Sequence, residues 1–224
     1  MLANIVVQFF LKGGYIMYPI LLTAIVAVAV VGERIVWWWR ESLKRDPQRL
    51  EKVLAALENG DFRAASLHAK DSEDPVVRML WHGLSHYNSS LQGALQVAAG
   101  VELQRAGRFL TVMDTIVTLA PLLGLLGTVT GLMKAFLDVG ESDLAVGAVT
   151  GGIGVALIAT ACGLGIAILA LIPFNYFTGK HSRLQFELET AATNIEVMVN
   201  AAKQRGFDTA EFRRADSETS SELG

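Results

Sequence analysis

DTIVTLAPLLGLLGTVTGLMKAF, residues 114–136, is the stretch whose reading decides the fold. Between Thr115 and Met133 it holds no Asp, Glu, Lys, Arg or His, and about 20 such apolar residues are what an α-helix needs to cross the hydrocarbon core of a bilayer. Small residues recur at Gly124, Gly127, Gly131 and Ala135, the three- and four-residue spacing that lets helix backbones approach closely in lipid. Pro121 releases a backbone carbonyl inside the run and bends the helix. Thr115, Thr118, Thr128 and Thr130 are its only hydroxyls.

Working outward, Asp138-Val139-Gly140-Glu141-Ser142-Asp143 is a short acidic turn that permits only a hairpin. Beyond it a second apolar run extends from about Ala145 to Phe177, again without a titratable side chain between Leu144 and Thr178 apart from Cys162 and Tyr176, and rich in glycine at Gly147, Gly151, Gly154 and Gly165. Upstream, YIMYPILLTAIVAVAVVGERIVWWW (15–39) is uncharged from Gly13 to Gly32, longer than the roughly 7–15 residues of a signal-peptide core. Its Trp37, Trp38 and Trp39, followed by Arg40, Lys44 and Arg45, form an interfacial anchor. Composition agrees: 52% of the 224 residues are hydrophobic and 18% charged, against about 45–50% and 25% in soluble chains. A single cysteine excludes a disulfide framework, and a net charge of −3 with dispersed basic residues argues against nucleic acid as a partner.

The fold class expected is all-α, an integral membrane protein with three transmembrane helices, two of them long and extending into the cytoplasm, and a helical cytoplasmic insert. The divisions are an interfacial segment at 1–14, transmembrane helices at 15–39, 114–138 and 145–178, the insert at 40–113, a periplasmic turn at 139–144, a cytoplasmic helix at 179–206 and a disordered tail at 207–224. Arg40, Lys44, Arg45, Lys180 and Arg183 beside the spans place the insert and the C-terminus inside and the N-terminus outside. Within the insert, Asp46-Pro47, Asp61 and Asp74-Pro75 read as helix starts and Asn59-Gly60 as a stop. Ser89 with Gln92 has the form of a capping box, and with no proline before Pro121 one helix is expected to run from there into the second span.

Thr128 and Thr160 stand out chemically. Thr128 follows the stripe Gly124, Gly131 and Ala135, while Thr160 shares a face with Gly152, Ala156, Gly163 and Ala167. Each is a single polar group on a surface of small residues that a second chain can approach. The alternative is a hydroxyl bonded back to its own helix. With no titratable carboxylate or amine deep in either of the last two spans, the chain cannot relay a proton alone, and Asp114 at the mouth of the second span is the nearest candidate exit-side carboxylate. Enzyme signatures are absent: GLLGTVTG lies inside an apolar helix, and His82 and His86 alone have ligand spacing. No metal or organic cofactor is expected.

GGYIMYPILLTAIVAVAVVGER, DTIVTLAPLLGLLGTVTGLMKAF and GGIGVALIATACGLGIAI together resemble the MotA/TolQ/ExbB proton channel family in its ExbB/TolQ branch. The resemblance covers all three spans, and the large insert after the first fits that branch. It implies a homopentamer in the bacterial inner membrane whose second and third helices surround the helices of an ExbD/TolR-like single-span partner, which supplies a membrane aspartate. It further implies H⁺ as coupling ion, with Thr128 and Thr160 at the family's pore threonines. Pro121, Gly124, Gly127, Gly131, Gly151, Gly154, Val155, Ala156 and Gly163 then belong to pore lining and helix packing. Val155 stands where many ExbB and TolQ sequences carry Glu, and Ala159-Thr160-Ala161 offers one hydroxyl where sodium-type relatives tend to show two, which favours H⁺ over Na⁺. The implied role is an ExbB-like stator subunit that couples proton motive force to energised transport through the outer membrane by way of a TonB-like or TolA-like protein. A TolQ-like envelope-maintenance or gliding motor is the near alternative, and a non-conducting membrane scaffold for a single-span partner is the alternative of another class.

Overall fold

A computed structural model describes residues 14–139 and 145–204, and among these the chain is helical throughout with no strand. The helices are α1 (Met17–Leu43), α2 (Pro47–Glu58), α3 (Phe62–Ala69), α4 (Pro75–Ser85), α5 (Tyr87–Ala106), α6 (Leu110–Val139) and α7 (Ala145–Gln204). Three of them, α1, α6 and α7, are long and apolar enough to cross a membrane. The interfacial segment expected at 1–14 (apart from Gly14), the acidic turn from Gly140 to Leu144 and the tail from 205 onward lie outside the described residues.

The helices divide between two compact units. The first takes the chain up to Val36 together with Phe109–Thr178. Here Ile16, Met17 and Ile20 are buried against Ala159, with Leu123, Cys162 and Ile166 alongside, and farther along Ala27 meets Ile116 and Ala170. Each cluster sets alanine against larger apolar side chains; apolar side chains gain little by leaving lipid for protein, so close van der Waals packing has to hold such helices together.

The second unit takes Trp37–Arg108 and the chain from Gly179 onward. Its core is that of a soluble helical domain: Val53, Leu57, Val77, Leu80, Leu84, Leu95, Leu188 and Ile195 are almost wholly buried in one cluster, each stabilising by about 1.5–3 kcal/mol relative to exposure. The start signals act as read. Asp46 accepts from the Arg49 amide at 2.9 Å, Asp61 from Ala64 at 2.8 Å and Asp74 from Val76 at 2.8 Å. Asp74 also accepts from the Asp46 amide at 2.9 Å, so one carboxylate ties the starts of α2 and α4. Gly60 takes the left-handed conformation at φ 75° that ends α2. Buried Glu102 on α5 is satisfied by two arginines: Arg78 holds it with Nε 2.8 Å from Oε1 and a second arm on Oε2, and Arg105 lies 3.2 Å away. That hydrogen bonding raises the Arg78 guanidinium above its ordinary range.

Two expectations in this region need correction. A serine does cap here, but it is Ser90, where α5 breaks into two helical segments: Ser90 is extended (φ −165°, ψ 98°) and its Oγ accepts from the Gly93 amide at 3.1 Å, so Gln92 falls one residue short of the box position for this cap. Nor does one helix run on into the second span. It stops at Ala106, the Gly107 amide closes on the Leu103 carbonyl at 2.8 Å, and Phe109 adopts φ 64° before α6 begins. Left-handed backbone at a bulky residue is uncommon. Phe109 carries the buried Arg34 guanidinium over its ring, 5.7 Å from the centroid.

Candidate functional site

The hairpin of α6 and α7 is built on glycine. A methyl group placed on Gly124 would lie 3.0 Å from the Thr160 Cα and 3.2 Å from the Ala159 carbonyl oxygen. One on Gly131 would lie 3.0 Å from the Ala156 Cβ and 3.2 Å from the Gly152 oxygen. Gly127 has no room for a methyl against Ala159, Gly152 none against Ala135, and Gly163 none against the Ala120 carbonyl. Ala120, Gly124, Gly127, Gly131 and Ala135 thus form one edge, and Gly152, Ala156, Ala159 and Gly163 the edge that meets it. Both are buried except half-buried Gly152.

This meeting locates the two threonines. Thr160 lies half-buried at the crossing, and its Oγ1 donates to the Gly124 carbonyl at 2.9 Å, a bond between helices. Thr128 is half-buried beside the same edge, and its Oγ1 donates to the Leu125 carbonyl of its own helix at 2.6 Å. Each hydroxyl has therefore committed its proton to backbone while keeping its oxygen lone pairs, because a threonine offers one donor and two acceptor sites. In this state both can accept a hydrogen bond from a protonated carboxylic acid. To donate to an ionised one, either must first leave its carbonyl.

Residues 71–190, which carry this hairpin and most of the helical region before it, match the MotA/TolQ/ExbB proton channel family. The chain belongs to that family. It is 33% identical over 196 residues to the biopolymer transport protein ExbB-like 1 of Synechocystis sp., a match that covers 84% of this chain and 77% of the relative. With ExbB-like 3 of the same organism it shares 35% identity over 185 residues, covering 80% and 87%. The biopolymer transport protein ExbB of Neisseria gonorrhoeae is 37% identical over 89 residues, 39% of this chain and 40% of that one. The protein is thus an ExbB-like membrane component of a proton channel family.

Against that family frame the remaining predicted residues separate into two groups. Gly124, Gly127, Gly131, Ala156 and Gly163 are occupied by contacts inside the chain. Gly151 and Gly154 are different: among the described residues a methyl on either would meet nothing within 4 Å. Pro121 is half-buried within α6. Val155 is half-buried, with its Cγ1 3.4 Å from where a methyl on Gly14 would sit. Asp114 is exposed, and its carbonyl accepts from Thr118 Oγ1 at 3.2 Å. The structure does not bring Asp114 together with either threonine through any described hydrogen bond. Along both helices the outward side is large and apolar, with Leu122, Leu125, Val129, Phe136, Leu157, Ile168 and Ile172 exposed.

Two features escaped sequence reasoning. The partner of Thr160 is a backbone oxygen 36 positions away, and no residue type in the sequence points to a carbonyl. Arg34 follows the uncharged part of the first span as an ordinary ionisable residue in the sequence, yet it is fully buried and gripped by the adjacent Glu33 at 2.6 and 2.9 Å.

Proposed function

We propose that this chain is the ExbB-like stator subunit of an inner-membrane complex in which H⁺ flow performs work across the periplasm, energising transport through the outer membrane. The observation that carries the reading is a close-packed hairpin with the hydroxyls of Thr128 and Thr160 beside its glycine edges and no carboxylate or amine deep in either helix. Such a path needs an acid from elsewhere, and an ExbD/TolR-like single-span partner with a membrane aspartate supplies it. In the proposed assembly, five copies surround that partner, the N-terminus is periplasmic, the C-terminus is cytoplasmic, and a TonB-like or TolA-like protein receives the force. H⁺ is the coupling ion because the single hydroxyl of Ala159-Thr160-Ala161 is a poor substitute for the several oxygen ligands that a hard metal cation needs.

The test is reconstitution of the chain with a single-span partner in vesicles and measurement of proton flux. Flux that appears with the partner and disappears when its membrane Asp becomes Asn supports the proposal. A tight complex without flux under any driving potential would end it, and would favour a scaffold role. The commitment of both threonine protons to backbone carbonyls is the observation that favours that second reading.

A further inference from the structure

The helical unit carries two apolar surface features on different edges. The first is a cavity of about 420 Å³ between α4 and α5, lined among others by Ala94, Val97, Ala98 and Val101 of α5 and by Arg78 and His82 of α4. Val97 is 70% exposed and Val101 is exposed beside it. With 3.6 residues per turn, Ala94, Val97 and Val101 stand about half a turn around α5 from Gln92, Gln96 and Ala99, which line the seam with α7. The groove therefore opens on the edge of α5 turned away from α7.

The second feature is on α7. Leu184, Leu188 and Ile195 are buried in the core of the unit, whereas Phe186, on the opposite face of the helix, is 68% exposed. A single exposed apolar side chain is ordinary; what distinguishes this one is its depth. The two helices run antiparallel, since Leu103 meets His181 at 3.2 Å while Leu95 and Ala99 share a seam with Leu188 and Ala192. Phe186 is five residues beyond His181, and Ala98 is five before Leu103. At 1.5 Å per residue both lie about 7.5 Å from that contact, on the same side of it.

A ring of copies set around an axis along these helices keeps every residue at its own depth, so a side chain can enter a neighbour's groove only at that depth. Phe186 meets the condition. Val197, similarly exposed on the same face, lies roughly 16 Å farther along and does not. Groove and phenyl ring on different edges of one unit make the contact head-to-tail, the type that closes into a ring. We propose that the groove between α4 and α5 receives Phe186 of the adjacent copy of this chain, with Val97 and Val101 covering the phenyl ring. The inference rests on the ring of copies proposed above, names the surfaces that join it in the helical unit, and is independent of the ion carried.

Cysteine pairs in the full-length chain, in a Cys162→Ser background, test it in membranes with a short bis-maleimide as cross-linker. Val97→Cys/Phe186→Cys should give a ladder of covalent multimers on a denaturing gel, and neither single variant should. Val97→Cys/Val197→Cys should stay monomeric on the gel. A tagged Val97→Cys chain co-expressed with an untagged Phe186→Cys chain should yield a dimer containing both, which shows that the bridge runs between chains. Native mass spectrometry and elution volume give the subunit count of each variant without cross-linker, and Val101→Cys replaces Val97→Cys if that variant does not assemble. A ring of normal count in which neither Val97→Cys nor Val101→Cys bridges to Phe186→Cys overturns this inference and leaves the ring standing. A monomeric chain overturns both. Equal cross-linking of Val97→Cys/Val197→Cys also overturns the inference, because the bridge would then report collision in place of a seat.

Discussion

Thr160 Oγ1 and the carbonyl oxygen of Gly124 are 2.9 Å apart, and this bond joins two helices at the point where α6 has no side chain to hold α7 away. The absence of a Cβ at Gly124 makes the bond possible, so glycine and hydroxyl form one device. The bond also sets what Thr160 can do for a visiting acid, since its proton is already placed.

Thr160→Val should therefore have two separable effects. Loss of a neutral hydrogen bond lowers stability by about 0.5–1.5 kcal/mol, read as a lower melting temperature in detergent, and proton flux in the reconstituted complex should fall sharply. Thr128→Val should cost less stability, because its bond lies within one helix, yet lose flux to a similar extent. Thr118→Val and Thr150→Val should keep both. Normal flux in both Thr128→Val and Thr160→Val would remove these residues from the proton path.

Glycine substitutions should divide by location. Gly163→Ala drives a methyl into the Ala120 carbonyl, and overpacking against backbone costs about 1–3 kcal/mol. Gly165→Ala enters open space and should leave the melting temperature unchanged or raised, since alanine is the better helix former. Gly154→Leu should leave the isolated chain folded but reduce the subunit count by native mass spectrometry if that face meets another subunit. An unchanged count would place Gly154 toward lipid.

Asp74→Ala should destabilise more than Asp61→Ala. The first removes a carboxylate that accepts from both Val76 and Asp46, about 1.5–3 kcal/mol for hydrogen bonds to a charged group. The second removes one exposed cap, about 1 kcal/mol. Urea titration followed by circular dichroism compares them, and equal midpoints would contradict a joining role for Asp74.

Arg34→Ala should be among the most damaging single changes outside the hairpin. It removes a fully buried side chain, its two hydrogen bonds to Glu33 and the cation over the Phe109 ring. Because the Glu33 side chain is 40% exposed and water can take over from Arg34, the loss is that of hydrogen bonds to a charged group, about 1.5–3 kcal/mol. Arg34→Lys should recover only part, because an ammonium cannot reproduce the planar fork. Thermal melts of both variants measure the difference.

Topology can be tested by cysteine labelling. In a Cys162→Ser background, Ser142→Cys should react with an impermeant maleimide from outside and Ser220→Cys only from inside. Labelling at position 220 from outside would reverse the proposed orientation.

The apolar runs, the caps at Asp46, Asp61 and Asp74 and the stop at Gly60 were legible because each depends on residues within a few positions of one another. Phe109 was not legible, since nothing local marks it for left-handed backbone and its ring is met by Arg34, far away in the chain. The small-residue stripes were recognised as contact surfaces, but a stripe does not name its partner. Gly124, Gly131 and Gly163 meet residues of their own chain, whereas Gly151 and Gly154 have no close neighbour among its described residues. Periodicity of 3.6 residues gives a face, and only the fold says what that face touches.

The glycine edge also determines what kind of variation the hairpin can absorb. Exposed Leu122, Leu125 and Val129 can be exchanged for other apolar residues without disturbing the crossing. Chain length cannot change so freely. One residue inserted between Pro121 and Gly124 turns every later position by about 100°, putting Leu126 in the place of Gly127 against Ala159 and Thr130 in the place of Gly131 against Ala156, where the contact has no room for a side chain. Drift in residue type is therefore compatible with this hairpin, whereas a single insertion or deletion within it puts the two helices out of phase.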